Sequence, residues 1–322
     1  MKIDSILAPV EEELPLVSAN LGKIAETDFP QFSDVIRQAI GSRGKGVRPA
    51  LTLLAGKFND FRLEYLIPMA TAVELLHTAS LIHDDTIDKS PLRRGLPTLY
   101  STLGDNAAIM AGDYLFAKSA ELAAIPGNLR VVRLFARTLM ALAKGELEET
   151  LTVYNWHQNR KDYFRRIDGK TAALFAMATE SGAILSGAHE SQIQALKDYG
   201  RSIGLAFQVI DDVLDFTSDE ETLGKPVGSD LLLGVMTLPS LIYLEQHSDG
   251  NLIKKGFAEK NKGPELEEAI TQIRESPFII KESLAIAQGL VDDAREAVSI
   301  LPDNDCRQAL FALADYVLER KK

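Results

Sequence analysis

The chain has 322 residues, 46% of them hydrophobic and 25% charged, with 13 prolines and a net charge of −11. This composition supports a large buried core, excludes a disordered chain, a collagen-like repeat or a small disulfide scaffold, and disfavours general attraction to nucleic acid. The single cysteine, Cys306, can form no internal disulfide, and the opening MKIDSILAPVEEELPL lacks the basic flank and apolar run of a secretory leader, so a cytoplasmic location is expected. No stretch reaches the roughly 18 consecutive apolar residues of a membrane span, so no bilayer crossing is expected.

Helical periodicity runs from end to end, and alternating β-branched runs are short, which predicts an all-α fold. The first long element is expected over Leu63 to Lys89, where apolar residues recur at helical spacing until Pro91 ends the pattern. Further helices are predicted over Asp105 to Ala123, Leu129 to Tyr154, Arg160 to Ser186, Ser191 to Phe216, Leu231 to Gln246, Gly263 to Glu275, Ile279 to Ile300 and Asp303 to Arg320. No linker rich in Pro, Gly or Ser divides them, so residues 1–322 are read as one domain. Small residues after Gly169 (Ala172, Ala173, Ala176, Ala178, Gly182, Ala183) predict close approach of a neighbouring helix. The glycine-punctuated stretch from Ser218 to Leu238 is long enough for a functional flap.

The chemistry is concentrated in two acidic motifs. Asp84, Asp85 and Asp88 end the first long helix, and Asp211, Asp212 and Asp215 repeat the spacing near the end of another. On a helical wheel each set lies at about 0°, 100° and 40°, which places three carboxylates on one face. A single such motif also fits a solvated helix surface. Two copies late in apolar helices, where the macrodipole repels negative charge, call for compensating cations. Carboxylate oxygens without clustered thiolates or imidazoles suit Mg²⁺ better than zinc. Basic residues follow in glycine-rich settings: Lys45 and Arg48 in GKGVRP, Arg93 and Arg94 before Gly95, Lys170 and Thr171 after Gly169, and Lys225 after Gly224. Arginine forks, lysine charges and exposed amides together predict a diphosphate site. His77 lies seven residues before Asp84, about 20° away on the wheel, and can hydrogen-bond a second phosphate there. Phe207 and Phe216 flank the second motif and are read as ordinary core, without a role.

These segments, with ELLHTASLIHDDTIDKSPLRRG, FQVIDDVLDF and LGKPVGSDL, resemble the trans-isoprenyl diphosphate synthases, the polyprenyl synthetase family, over nearly the whole chain. The resemblance implies a single-domain bundle of about ten or more helices around a central cavity, of the isoprenoid synthase type. It implies a transferase that condenses isopentenyl diphosphate head-to-tail with an allylic diphosphate. By resemblance, the six aspartates hold a cluster of Mg²⁺ ions, and Arg93, Lys170, Thr171, Gln208 and Lys225 complete the allylic site. Lys45, Arg48, His77 and Arg94 match positions that bind isopentenyl diphosphate. Ala79 and Ser80, five and four residues before Asp84, stand where bulky aromatics stop elongation in short-chain members, so their small size implies a medium- to long-chain all-trans product. Alternatives are a short-chain farnesyl or geranylgeranyl synthase, a terpene cyclase and a non-catalytic partner subunit. A homodimer and peripheral membrane contact through the lipid product are also implied. Two departures stand out: Val235 where the family often has a lysine, and Glu149 where a glutamine is common.

Overall fold

A computed structural model describes residues 2–26, 30–41, 45–219, 226–247, 251–260 and 263–320. The backbone is overwhelmingly helical, as the periodicity predicts. Among the described residues the one strand pair is an antiparallel hairpin, Leu92–Arg93 with Leu96–Pro97. The chain divides into two compact units. The first comprises Met1–Arg137, Leu174–Gly200 and Val298–Leu313, and the second Thr138–Ala173, Arg201–Ala297 and Ala314–Lys322.

The first unit is built on helix Leu63–Ile87. Its apolar residues are not confined to a stripe: Leu66, Met69, Ala70, Val73, Leu76 and Ala79 are all fully buried. A helix apolar on all sides belongs in a core. By length and hydropathy it could cross a membrane, but 67% of its most apolar window is buried inside the fold, and it carries Glu74, His77, Asp84 and Asp85. Helix Asp105–Ala124 packs along it. The small-residue prediction holds at Gly182, where a Cβ would meet the Thr52 carbonyl oxygen at 2.2 Å, so helix Val47–Gly56 approaches helix Ala173–Leu185 backbone to backbone. Helices Leu14–Ile24 and Pro30–Gly41 also belong to this unit and were not among the predicted elements.

In the second unit the predicted helix over Arg160 to Ser186 is interrupted. An α-helix spans Arg160–Ile167, opened by an Asn159/Asp162 capping box. A π-turn follows over Asp168–Ala172 before helix Ala173–Leu185 begins. Such single-turn bulges mark functional positions in other helices, and this one holds Gly169, Lys170 and Thr171. The predicted helix over Leu231 to Gln246 is two pieces, Ser229–Leu232 and Leu238–Gln246. Pro239 explains the split, because it fits the first turn of a new helix and cannot donate within an existing one. Helix Leu252–Glu259, absent from the predicted elements, precedes Pro264–Glu275.

Candidate active site

In the first unit the three aspartates of the first motif meet different environments. Asp85 is buried and Asp84 half-buried, while Asp88 is the exposed C-cap of the helix. The uniform acidic face expected from the wheel is therefore divided. The hairpin is responsible: Arg94 and Gly95 both take positive φ (+52° and +77°), which reverses the chain within two residues. Arg93 then points back at the helix. Its Nε donates to both Asp85 oxygens at 2.8 Å, and its Nη2 lies 2.7 Å from Oδ1. Asp85 thus serves a protein cation, and Asp84 and Asp88 remain the accessible carboxylates.

One cleft of this unit is lined by Glu74, His77, Asp85, Arg93 and Arg94, and another by Lys45, Gly46, Pro49 and again Glu74. Arg48 Nη1 donates to His77 Nε2 at 3.0 Å, and its guanidinium lies over the Phe175 ring at 4.5 Å. Burial, with help from Arg48, Arg94 and Arg93, holds the His77 pKa well below its ordinary value. The imidazole is consequently neutral at pH 7, a hydrogen-bonding group and not a cation. The structure brings Lys45, Arg48, His77 and Arg94 into this one neighbourhood. Glu74, only 5% exposed, was missed in the sequence: it lines both clefts, and its charge counteracts the burial that lowers the Arg94 pKa.

In the second unit Lys170 stands on the π-turn against helix Leu129–Leu151. Gly145 permits this approach, since a Cβ there would lie 2.6 Å from the Lys170 amide nitrogen. The ammonium donates to Glu146 Oε2 at 2.9 Å and Glu149 Oε1 at 2.6 Å. Glu149, the departure noted in the sequence, also lies 3.5 Å from Nε of the buried Arg166. Thr171 Oγ1 donates to Gln208 Oε1 at 2.7 Å, and Gln208 Nε2 donates to Asp212 Oδ1 at 2.9 Å. The other Asp212 oxygen accepts from Tyr163 Oη at 2.6 Å. Burial pushes the Asp212 carboxyl up to about 7 despite these donors. Asp215, also buried, accepts from Ser229 Oγ at 2.9 Å and the Asp230 amide at 3.3 Å.

Asp211 is the most exposed of the second triad, its side chain 36% accessible, and Arg320 Nη1 lies 2.9 Å from its Oδ1. Tyr163 and Arg320 were missed because each lies far along the chain from the aspartate it serves, whereas Ser229 stands in the LGKPVGSDL segment, 14 residues from Asp215, where spacing alone does not reveal its hydrogen bond. Lys225, Gly224 and Gly44 lie outside the described residues, as does part of the expected flap. Ala79 is fully buried; Ser80 is half-buried and donates to the His77 carbonyl at 2.8 Å.

Among the described residues, no three His, Cys, Asp or Glu side chains stand close enough together to hold one ion. The donor set still fits a hard divalent cation that completes its shell with water and phosphate oxygens. In the first unit Asp84 and Asp88 reach solvent beside buried Asp85, and in the second Asp211 does so beside buried Asp212 and Asp215, with Arg320 close to Asp211.

Residues 29–273 match the family model described as polyprenyl synthetase. The chain belongs to the polyprenyl synthetase family. It is 36% identical over 100% of its length, and 92% of the relative's, to heptaprenyl diphosphate synthase component 2 of Bacillus subtilis. Among solved structures, a decaprenyl diphosphate synthase from Rhodobacter capsulatus superposes with TM-score 0.92, at 34% identity and covering 100% of both chains. A polyprenyl synthase from Caulobacter crescentus, solved with calcium and isoprenyl diphosphate, gives TM-score 0.93 at 29% identity, covering 100% of this chain and 98% of that one. The isoprenoid synthase fold and the prenyltransferase class expected from the motifs are thus established at family level.

Proposed function

We propose that this protein is a trans-prenyltransferase that elongates an allylic diphosphate with isopentenyl diphosphate to a medium- or long-chain all-trans polyprenyl diphosphate. The observation that carries the reading is the partition of both aspartate motifs: Asp84 and Asp88 in the first, and Asp211 in the second, reach solvent, while Asp85, Asp212 and Asp215 are buried and hydrogen-bonded by the protein, and each motif has basic groups suited to diphosphate in its own unit. Asp84 and Asp88 in the first unit, and Asp211 in the second, would each serve as a ligand to Mg²⁺, which when bound neutralises charge gathering on the leaving pyrophosphate.

The protein's own groups set up the rest. Arg93 fixes Asp85, and Tyr163 with Gln208 fixes Asp212, so the motifs are rigid before any ligand arrives. Lys170 carries a charge that can turn from Glu146 and Glu149 to a diphosphate oxygen. Lys45, Arg48 and Arg94 offer cations to the second diphosphate, and neutral His77 offers a hydrogen-bonding ring. The allylic C–O bond breaks to a carbocation and pyrophosphate. The isopentenyl double bond forms the new C–C bond, and a proton leaves, with pyrophosphate as its acceptor. No nucleophilic side chain is required, and apolar walls must exclude the water that would quench the cation.

Small Ala79 and Ser80 support a long product, as do the relatives named for heptaprenyl and decaprenyl synthesis. Self-association as a homodimer is part of the same reading and rests on exposed Ile109, Met110, Ile125 and Leu129 in the first unit. So are a cytoplasmic location and contact with membranes through the lipid product. Turnover is the test: Asp84→Ala and Asp211→Ala should each lower it by orders of magnitude with helicity intact. Near wild-type rates at saturating Mg²⁺ would overturn the metal assignment.

A further inference from the structure

Within the second triad the divisions of labour are unequal. Both oxygens of Asp212 and both of Asp215 are engaged by hydroxyl, amide or backbone donors of the protein, and each residue is 2% exposed. Asp211 is instead met by a full positive charge. Arg320 follows directly after the helix Asp305–Glu319, and its side chain is only 16% exposed. Its guanidinium carbon sits 4.0 Å from the centroid of the Phe207 ring, and its Nη1 lies 2.9 Å from Asp211 Oδ1. Phe207 is one helical turn before Asp211, so ring and carboxylate form a two-point seat on one helix face for a flat cation. The seat occupies the carboxylate that a divalent ion would use.

We propose that Arg320 is a positioning residue, a resident counter-ion that holds Asp211 in the cation-free chain and must release it when a divalent cation binds. This inference rests on the reading of Asp211 as a metal-binding carboxylate. Without a counter-charge, Asp211 would stand within one turn of two other aspartates on a helix close to its C-terminal end, where the dipole adds to the repulsion. Arg320 relieves that repulsion and makes a bare ion compete for its site. When diphosphate arrives with the ion, the released guanidinium gains an anion to pair with, so ion and diphosphate should bind cooperatively.

The test is Mn²⁺ binding to the whole protein, read as loss of the free-ion electron paramagnetic resonance signal, with and without inorganic pyrophosphate. Arg320→Gln should tighten binding of Mn²⁺ alone by roughly five- to tenfold, the loss of one partly exposed ion pair and one cation–π contact. It should also shrink the enhancement that pyrophosphate gives. Arg320→Lys should stay within about twofold of wild type, and Phe207→Leu, which keeps the charge and removes the seat, should tighten Mn²⁺ about twofold. If Arg320→Gln fails to fold, Phe207→Leu carries the test. Asp211→Asn separates the two ideas. If it leaves Mn²⁺ binding unchanged, the metal reading of Asp211 is wrong. If it removes a Mn²⁺ site while Arg320→Gln and Phe207→Leu bind Mn²⁺ as wild type does, Arg320 merely anchors the chain and the inference fails.

Discussion

The pairing of Arg93 with Asp85 makes a quantitative prediction. Three N–O contacts of 2.7–2.8 Å join a guanidinium whose side chain is 32% exposed to a carboxylate whose side chain is 9% exposed. Removing one partner from a fully buried ion pair costs about 3–5 kcal/mol, chiefly because the survivor is left charged and dry. Here the arginine keeps a third of its surface in water, which reduces the expected cost of Arg93→Gln to about 2–3 kcal/mol. Asp85→Asn leaves a guanidinium that can rehydrate and should cost about 1–2 kcal/mol. In the double variant two neutral amides can hydrogen-bond, so its loss should fall short of the sum by about 1–2 kcal/mol. Urea unfolding of the four proteins in this cycle, at matched ionic strength and without divalent ions, measures the coupling. Additivity within about 0.5 kcal/mol would refute the claim that Asp85 is committed to Arg93.

Three further outcomes are expected. Glu149→Gln removes one of two carboxylates from Lys170 and should lower the KM for the allylic diphosphate about three- to tenfold with little change in kcat; an unchanged KM in steady-state assays would show that Lys170 is not restrained. His77 has a depressed folded-state pKa, so the stability linked to it is present above the unfolded value near 6.5 and lost as pH falls through the folded one; His77→Gln should flatten that part of the denaturation profile below about pH 6.5, and parallel profiles would contradict the assignment. Ser80→Phe should shorten the products, whereas Ala79→Phe at a fully buried site should destabilise the fold by about 1–3 kcal/mol. Chromatographic sizing and thermal melts check both, and an unchanged product distribution for Ser80→Phe would count against a chain-length role.

The parts of this protein legible in its sequence are those written locally. Helix Leu63–Ile87 announces itself by a long run rich in apolar residues and alanine, unbroken by proline from Pro68 to the edge of the first acidic motif, and the two motifs by their identical spacing. Helices Leu14–Ile24 and Pro30–Gly41 were less visible because each is short and opens on proline-containing sequence. What spacing could not convey is how labour is divided within a motif. Asp85 and Asp88 share one face on a wheel, yet a two-residue turn at Arg94 and Gly95 brings a guanidinium onto the first, which is buried, while the second is exposed at the helix end. The π-turn at Lys170 is equally hidden, since a helical pattern persists through it and only the close approach at Gly145 reveals its purpose. Tyr163 and Arg320 reach Asp212 and Asp211 through tertiary folding, and no local period links them.

The most direct test of chain elongation is to incubate the purified protein with Mg²⁺, labelled isopentenyl diphosphate and allylic diphosphates of several lengths, and to size the labelled products. The expected result is divalent-ion-dependent incorporation into polyprenyl diphosphates longer than geranylgeranyl diphosphate. No incorporation from any primer at saturating Mg²⁺ would contradict the account.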